Sequence, residues 1–213
     1  MNQIIYPEKL EVISTNKNSH LIKYRIIFYL SLLILIIFLI YYMISYINIT
    51  NKSKISSHIL NAYDIQTLYS SIPSFTPSII LENGESSEIL GIIEIKKLNL
   101  KYPILANYSE ELLKVSPCKF YGESFYKSGN VCIAGHNYDN GIFFSNLYQL
   151  EVGDIINVYT MSGMEIVYTI YDKFESVPTD VSCLNQNIDF KEITLITCNN
   201  LNKKRLIIKA KNR

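Results

Sequence analysis

The stretch ITLITC, Ile193–Cys198, is followed by NNLNKK, Asn199–Lys204, and then by RLIIKAK, Arg205–Lys211. Two strand-length runs rich in β-branched and apolar residues are separated by a short connection in which only Leu201 is not turn-compatible, and this predicts an antiparallel hairpin. In the second arm Leu206, Ile208 and Ala210 alternate with Arg205, Ile207, Lys209 and Lys211, giving one apolar face and one mostly basic face. Pairing the arms sets Cys198 opposite Arg205 across the loop, with their Cα atoms about 5 Å apart. A guanidinium then lies within reach of whatever the thiol attacks.

Working outward from this hairpin, the same texture runs back to about Ile89. Ile155–Thr160 and Glu165–Asp172 flank the turn Met161–Met164, and Val131–Ala134 is a buried-strand run ending in Gly135 and His136. Ile89–Ile95 and Leu98–Leu105 flank Lys96 and Lys97. Tyr108–Val115 is expected to form a short helix, with Ser109 as its N-cap and Glu110 and Glu111 in its first turn. Phe143, Phe144, Leu147 and Leu150 recur at helical spacing, and Glu175–Asp189 reads as a long polar connection. Many short strands without alternating long helices make the fold class all-β, with a closed β-barrel and short helices over residues 89–213.

Before the barrel, residues 48–88 read as a stalk and linker. Weak helical periodicity over Ile55–Ile72 gives way to Pro73, Ser74, Pro77 and Ser78, and then to the polar run ENGESSE, Glu82–Glu88. Residues 26–47, IIFYLSLLILIIFLIYYMISYI, carry no charge and are long enough as a helix to cross a hydrocarbon core of about 30 Å. A cleavable signal peptide would have a shorter apolar run and an A-x-A site, and neither is present. Lys9, Lys17, Lys23 and Arg25 precede the span, and only Lys52 and Lys54 follow closely. The positive-inside rule therefore puts residues 1–25 in the cytoplasm and the barrel outside a plasma membrane, with one N-terminal transmembrane helix. The net charge of +1 gives no electrostatic reason to expect nucleic acid as a partner.

A free thiol has a pKa near 8.5 and needs help to attack at neutral pH, usually from an imidazole. Outside the membrane the candidates are His58, which sits in the expected stalk as a solvated side chain, and His136, at the end of a strand beside Gly135, which permits close approach. His136 taken alone reads as a loop histidine, and Arg205 taken alone as one cation among Lys203, Lys204, Lys209 and Lys211. Cys118, Cys132 and Cys183 read as small buried hydrophobes. No C-x-x-C occurs and only three histidines are present, so no zinc site is expected.

Taken together, IAGHN at Ile133–Asn137, TLITC at Thr194–Cys198 and RLIIKAK at Arg205–Lys211 resemble the sortase family in motif, order and spacing. The runs LGIIEIKKLNLKYPIL, Leu90–Leu105, and GIFFSNLYQLEVGD, Gly141–Asp154, resemble it too, so the likeness covers nearly all of the external region. The resemblance implies an eight-stranded barrel with His136, Cys198 and Arg205 as catalytic residues. It also implies cleavage of an LPxTG-like sorting signal through a Cys thioester. The acyl group would then pass to an amine of the cell-wall peptide precursor or of a pilin. No cofactor is expected. Some sortases carry a modulating calcium site, for which Glu110 and Glu111 are candidates, but a helix N-terminus explains them equally well. Pilin-linking sortases usually add a C-terminal span and a lid, neither of which is evident here, so a class A- or D-like wall-anchoring enzyme is the expectation. The alternatives are a pilin-linking sortase and a tethered cysteine peptidase acting mainly by hydrolysis.

Overall fold

The computed structural model describes residues 17–68, 77–138, 140–186 and 188–212, and it divides into two compact units, residues 1–48 and residues 49–213. A single helix, α1 (Lys17–Leu68), begins in the first unit and ends in the second. Its Ile22–Asn48 stretch has a mean hydropathy of 2.7 with none of it buried, so it is apolar enough and long enough to cross a membrane.

The second unit is built on nine strands: β1 (Ser78–Ile80), β2 (Ser86–Ile95), β3 (Leu100–Leu105), β4 (Cys118–Tyr121), β5 (Gly129–Ala134), β6 (Ile155–Thr160), β7 (Glu165–Ser176), β8 (Lys191–Asn199) and β9 (Lys204–Asn212). Strands β2 to β9 close a barrel in the order β2–β3–β4–β5–β8–β9–β7–β6, with β6 returning to β2, and β1 pairs with the start of β2. The eight-stranded closed barrel expected from the sequence is therefore present. Most pairs are antiparallel, but β3–β4 and β5–β8 are parallel.

Alternation along each strand fills the barrel. Val131 and Ile133 of β5, Ile193 and Leu195 of β8, and Leu206, Ile208 and Ala210 of β9 point inward to one core with Phe144, Leu147, Leu150 and Tyr168. Two smaller clusters lie elsewhere. Ile89, Leu105, Leu112, Val115 and Cys118 gather in one, against which Ile59 of α1 packs. Cys132, Cys183, Ile196 and Ile207 form the other. The short helix α2 (Glu110–Leu113) has Ser109 as its N-cap, the hydroxyl accepting from the Leu112 amide at 3.1 Å, as the sequence indicated.

Three expectations are corrected. The barrel ladder does begin at Ile89, paired with Leu105, but the polar run before it is not a linker. The run ENGESSE holds a hairpin turn, with Asn83 accepting from the Glu85 amide and Gly84 at φ +83°, and its last three residues open β2 and pair with β1. Nor are residues 49–68 a free stalk. They are helical, and the fully buried Ser56 donates its hydroxyl hydrogen bond to the Val115 carbonyl. Finally, Phe143, Phe144, Leu147 and Leu150 are all buried, but only Leu147–Gln149 is helical, as one 3-10 turn. Their spacing reflects burial in a loop that folds over the barrel end.

Candidate active site

The β8–β9 ladder pairs Cys198 with Arg205 directly, following Ile196 with Ile207 and Thr194 with Lys209. Paired residues of an antiparallel ladder share a face, so both side chains lie on the outer face of the barrel. Asn199 and Asn202 shape the intervening turn, their side-chain oxygens accepting from the Leu201 and Lys204 amides at 3.0 Å each. On the other side β5 runs parallel to β8 with Ala134 level with Ile196. The chain holds that register beyond the strand. The Gly135 amide donates to the Ile196 carbonyl at 3.0 Å, and the Thr197 hydroxyl donates to the Gly135 carbonyl at 2.8 Å. His136 is thereby brought level with Cys198, one strand spacing of about 4.8 Å away. His136, Cys198 and Arg205 thus form a row across three neighbouring strands.

Gly135 is on the inner face, and a Cβ there would lie 2.5–2.9 Å from ring atoms of Phe144. Phe144 is itself fully buried, and its amide donates to the His136 carbonyl at 3.1 Å. The close approach anticipated at Gly135 is therefore to this ring, which clamps the backbone at His136. The His136 imidazole is half-buried and lies 4.8 Å, centroid to centroid, from the Tyr138 ring. Burial pushes its pKa below the ordinary value. The Glu110 carboxylate opposes that shift and the Lys114 ammonium adds to it. The neutral imidazole is the dominant form at pH 7.

Carboxamides tie the two loops of the site together. Asn137 donates to the Cys198 carbonyl at 3.0 Å, and Asn200 returns a bond to the Asn137 carbonyl at 3.1 Å. Glu175, near the end of β7, accepts from the side chains of both Asn199 and Asn202, with Lys204 Nζ at 3.9 Å. One carboxylate therefore braces both ends of the loop that joins the thiol strand to the guanidinium strand. A second brace holds the connection between β7 and β8. Asn130, fully buried, donates to the Cys183 carbonyl at 2.9 Å and accepts from Thr194 at 2.8 Å, while Gln186 bonds both the amide and the carbonyl of Asn130.

Two cavities lie on this surface. The larger, about 900 Å³, runs over β4 and β5 and is lined by Tyr108, Phe120, Tyr121 and Gln186, among others. The smaller, about 550 Å³, includes Cys198 itself. The Tyr108 phenol is raised chiefly by burial and then by Glu110, with the Arg205 cation pulling it down and Cys198 within electrostatic range. None of Tyr108, Asn137, Glu175 or Asn200 was singled out from sequence as a site residue. Only Asn137, adjacent to the histidine, stood inside a motif.

The four cysteines divide as the sequence suggested. Cys118, Cys132 and Cys183 are buried free thiols and Cys198 is exposed. Burial pushes Cys118 and Cys132 up to about 12, and it raises Cys183 as well. His58 falls in the second stretch of α1, exposed, away from any role the register suggests. Glu110 and Glu111 occupy the first turn of α2, and Glu111 pairs with Lys114 at 2.5 Å.

This barrel, with its thiol and guanidinium on adjacent strands and its imidazole just past the end of a third, is a sortase fold, and a Sortase domain profile matches residues 93–213. The chain belongs to the sortase family. Among solved structures it is similar to the sortase D5 transpeptidase of Clostridium perfringens, with 28% identity and a TM-score of 0.57 over 76% of this chain and 98% of that one. It is also similar to sortase C1 of Streptococcus agalactiae, at 27% identity and TM-score 0.54, covering 59% of this chain and 67% of that one. Sortase A of Corynebacterium diphtheriae, at 22% identity and TM-score 0.55 over 66% and 63% of the two chains, shares the fold. No curated protein matches the chain in sequence.

Proposed function

We propose that this chain is a membrane-anchored sortase that cleaves an LPxTG-like sorting signal and transfers the acyl fragment to a cell-wall amine. The observation that carries this reading is the row of His136, Cys198 and Arg205 on one face, fixed by the β5–β8 and β8–β9 registers. The Cys198 thiolate attacks the carbonyl of the scissile Thr–Gly bond, and the protonated His136 gives its proton to the departing amine. Arg205 donates to the oxyanion as it develops. The thioester is then attacked by the incoming amine, whose proton returns to His136 as the thiolate departs. Every step uses side chains alone. The apolar helix at Ile22–Asn48, with Lys23 and Arg25 within its first turn, supports an anchor that leaves the barrel outside the cell.

The test is incubation of the full-length protein in detergent with a peptide library and an amine, read by mass spectrometry. An acyl adduct confined to Cys198, resolved to an amide by the amine, is expected. Cys198→Ala should abolish cleavage and transfer together, and full turnover by that variant would refute the assignment. Cys198 is exposed to solvent, which favours a second reading in which water is the main acceptor. A product ratio dominated by free acid at saturating amine would select it. External protease on wall-stripped cells should remove the barrel and spare the N-terminal tail if the orientation is right.

A further inference from the structure

Cys132 and Cys183 are 51 positions apart in the chain, yet they share one small apolar cluster separate from the barrel core. The Cys132 thiol is directed at the Cys183 carbonyl oxygen, 3.9 Å away, and Cys183 acts electrostatically on it. Ile196 and Ile207 complete the cluster, with Phe174 and Leu184 packed against it. The backbone is fixed on both sides of the pair. Cys132 stands in β5, level with Thr194 of β8, and Cys183 stands in the 3-10 turn Ser182–Leu184. Asn130 holds that turn by donating to the Cys183 and Asn185 carbonyls at 2.9 and 3.2 Å. Gln186, just past the turn, bonds the amide and the carbonyl of Asn130 in return. Neither cysteine has a part in the transfer chemistry above. Cys118 belongs to a different cluster, with its thiol on the Ser116 carbonyl at 3.3 Å.

We infer that Cys132 and Cys183 are a modification site, a dithiol that a small-molecule disulfide converts into an intramolecular disulfide pinning the β7–β8 connection to β5. Outside the cell, where the reading above puts the barrel, such bonds form and persist. The pairing needs only that location, not the transfer chemistry. The Cys183 thiolate attacks one sulfur of the oxidant, whose other half leaves as a thiolate. The Cys132 thiolate then attacks the Cys183 sulfur of this mixed disulfide and expels the second half. The pair loses two electrons and two protons, and the oxidant takes them up as two thiols. Cys183 attacks first because it is 4% exposed, whereas Cys132 is completely covered. Burial raises both thiols, Cys132 to about 12, so exchange proceeds as the turn opens or as the chain folds. Once the turn has closed, the same burial shields the bond from reductants. Gln186 and Ile188 of the pinned connection line the larger cavity, so the bond also fixes one wall of it.

The experiment uses the full-length chain in detergent micelles carrying Cys198→Ala, which removes the exposed thiol and leaves the other three. The protein is incubated with oxidised and reduced glutathione, once folded and once during dilution from denaturant, so that access is not limiting. Intact mass and peptide mapping without reductant are expected to show the loss of two hydrogens and one peptide pair joining Cys132 to Cys183. The Tm should rise by about 4–16 °C on oxidation and fall back on reduction. Cys132→Ala and Cys183→Ala in the same background should each abolish the mass change and the shift, whereas Cys118→Ala should keep both. Free thiols at both positions after refolding in the oxidising buffer overturn the assignment. So does a lasting glutathione adduct on Cys183, or a bond to Cys118. A Cys132–Cys183 bond that leaves Tm unchanged or lowers it overturns it as well, because the native packing then does not accommodate the bond.

Discussion

Gly135→Ala is the most searching perturbation of the site, because it alters no chemical group that takes part. The added Cβ would lie 2.5 Å from one ring atom of Phe144 and 2.6 and 2.9 Å from two others. Ordinary carbon–carbon contact is about 3.5–4.0 Å, so ring and backbone must separate by roughly 1 Å. Phe144 is fully buried among Ile133, Leu195 and the other inward residues, so moving its ring disturbs their packing. Overpacking of this kind costs about 1–3 kcal/mol, which for a barrel of this size lowers Tm by about 2–12 °C. The larger effect should be on rate. Gly135 is hydrogen-bonded to β8 on both sides, and Phe144 is bonded to the carbonyl of His136. Displacement therefore falls on the imidazole, and a misplacement of about 1 Å can cost about 10²-fold in rate. Thermal unfolding and the acylation rate measured together on Gly135→Ala provide the assay. Adding Phe144→Leu should recover part of both, since it removes the atoms that collide. Wild-type acylation by Gly135→Ala, or no recovery in the double variant, would show that the ring does not position His136.

Alkylation of the native protein by iodoacetamide at pH 7.5 should label Cys198 alone, and mass spectrometry after denaturation should find label at Cys118 and Cys132 only once the protein has been unfolded, because burial holds both thiols up to about 12. Arg205→Ala should slow acylation by about 10²–10³, with Arg205→Lys recovering only part of the loss because an ammonium lacks the planar fork. Asn130→Ala removes a fully buried carboxamide that serves Cys183, Asn185 and Thr194, and should lower unfolding free energy by about 1–3 kcal/mol in a denaturant titration. The acid limb of the acylation pH profile should fall below pH 6.5, because burial lowers His136 from its ordinary value. The same depressed pKa makes the imidazole's contribution to stability complete above about pH 6.5 and progressively lost as pH falls towards the folded-state value. An acid limb at or above pH 7 would contradict both statements.

The pairing of Cys198 with Arg205 was legible because it depends on local spacing, whereas His136 joined them only through the resemblance of its motif. Six residues between Cys198 and Arg205 close a hairpin in one register only, and a glycine before His136 marks a crowded strand end. What lay beyond the sequence is long-range. The bonds between Asn137 and Cys198, between Asn200 and Asn137, and between Glu175 and Asn199 join residues 24 to 63 positions apart, and no periodicity records them. Ile207 was assigned to a mostly basic face, yet it is fully buried, because the turn carrying Cys183 covers that face of β9. The hairpin at Glu82–Glu88 shows a different failure. Its Asn-Gly pair is a strong turn signal, but the surrounding charge and serine content suggested a linker. Polarity reports solvent exposure, and an exposed hairpin edge satisfies it as well as a disordered chain does.

The way the site is held explains why its parts can be both exposed and accurate. Inward residues of β5, β8 and β9 form the barrel core, while His136, Cys198 and Arg205 stand at the ends of those same strands. The packing that fixes strand register therefore fixes the row, with no need for a bond between thiol and imidazole. That independence has an electrostatic consequence. Burial disfavours the imidazolium, with the Lys114 ammonium adding to that shift and the Glu110 carboxylate opposing it. A neutral imidazole must therefore gain a proton before it can serve as the acid of the proposed acylation.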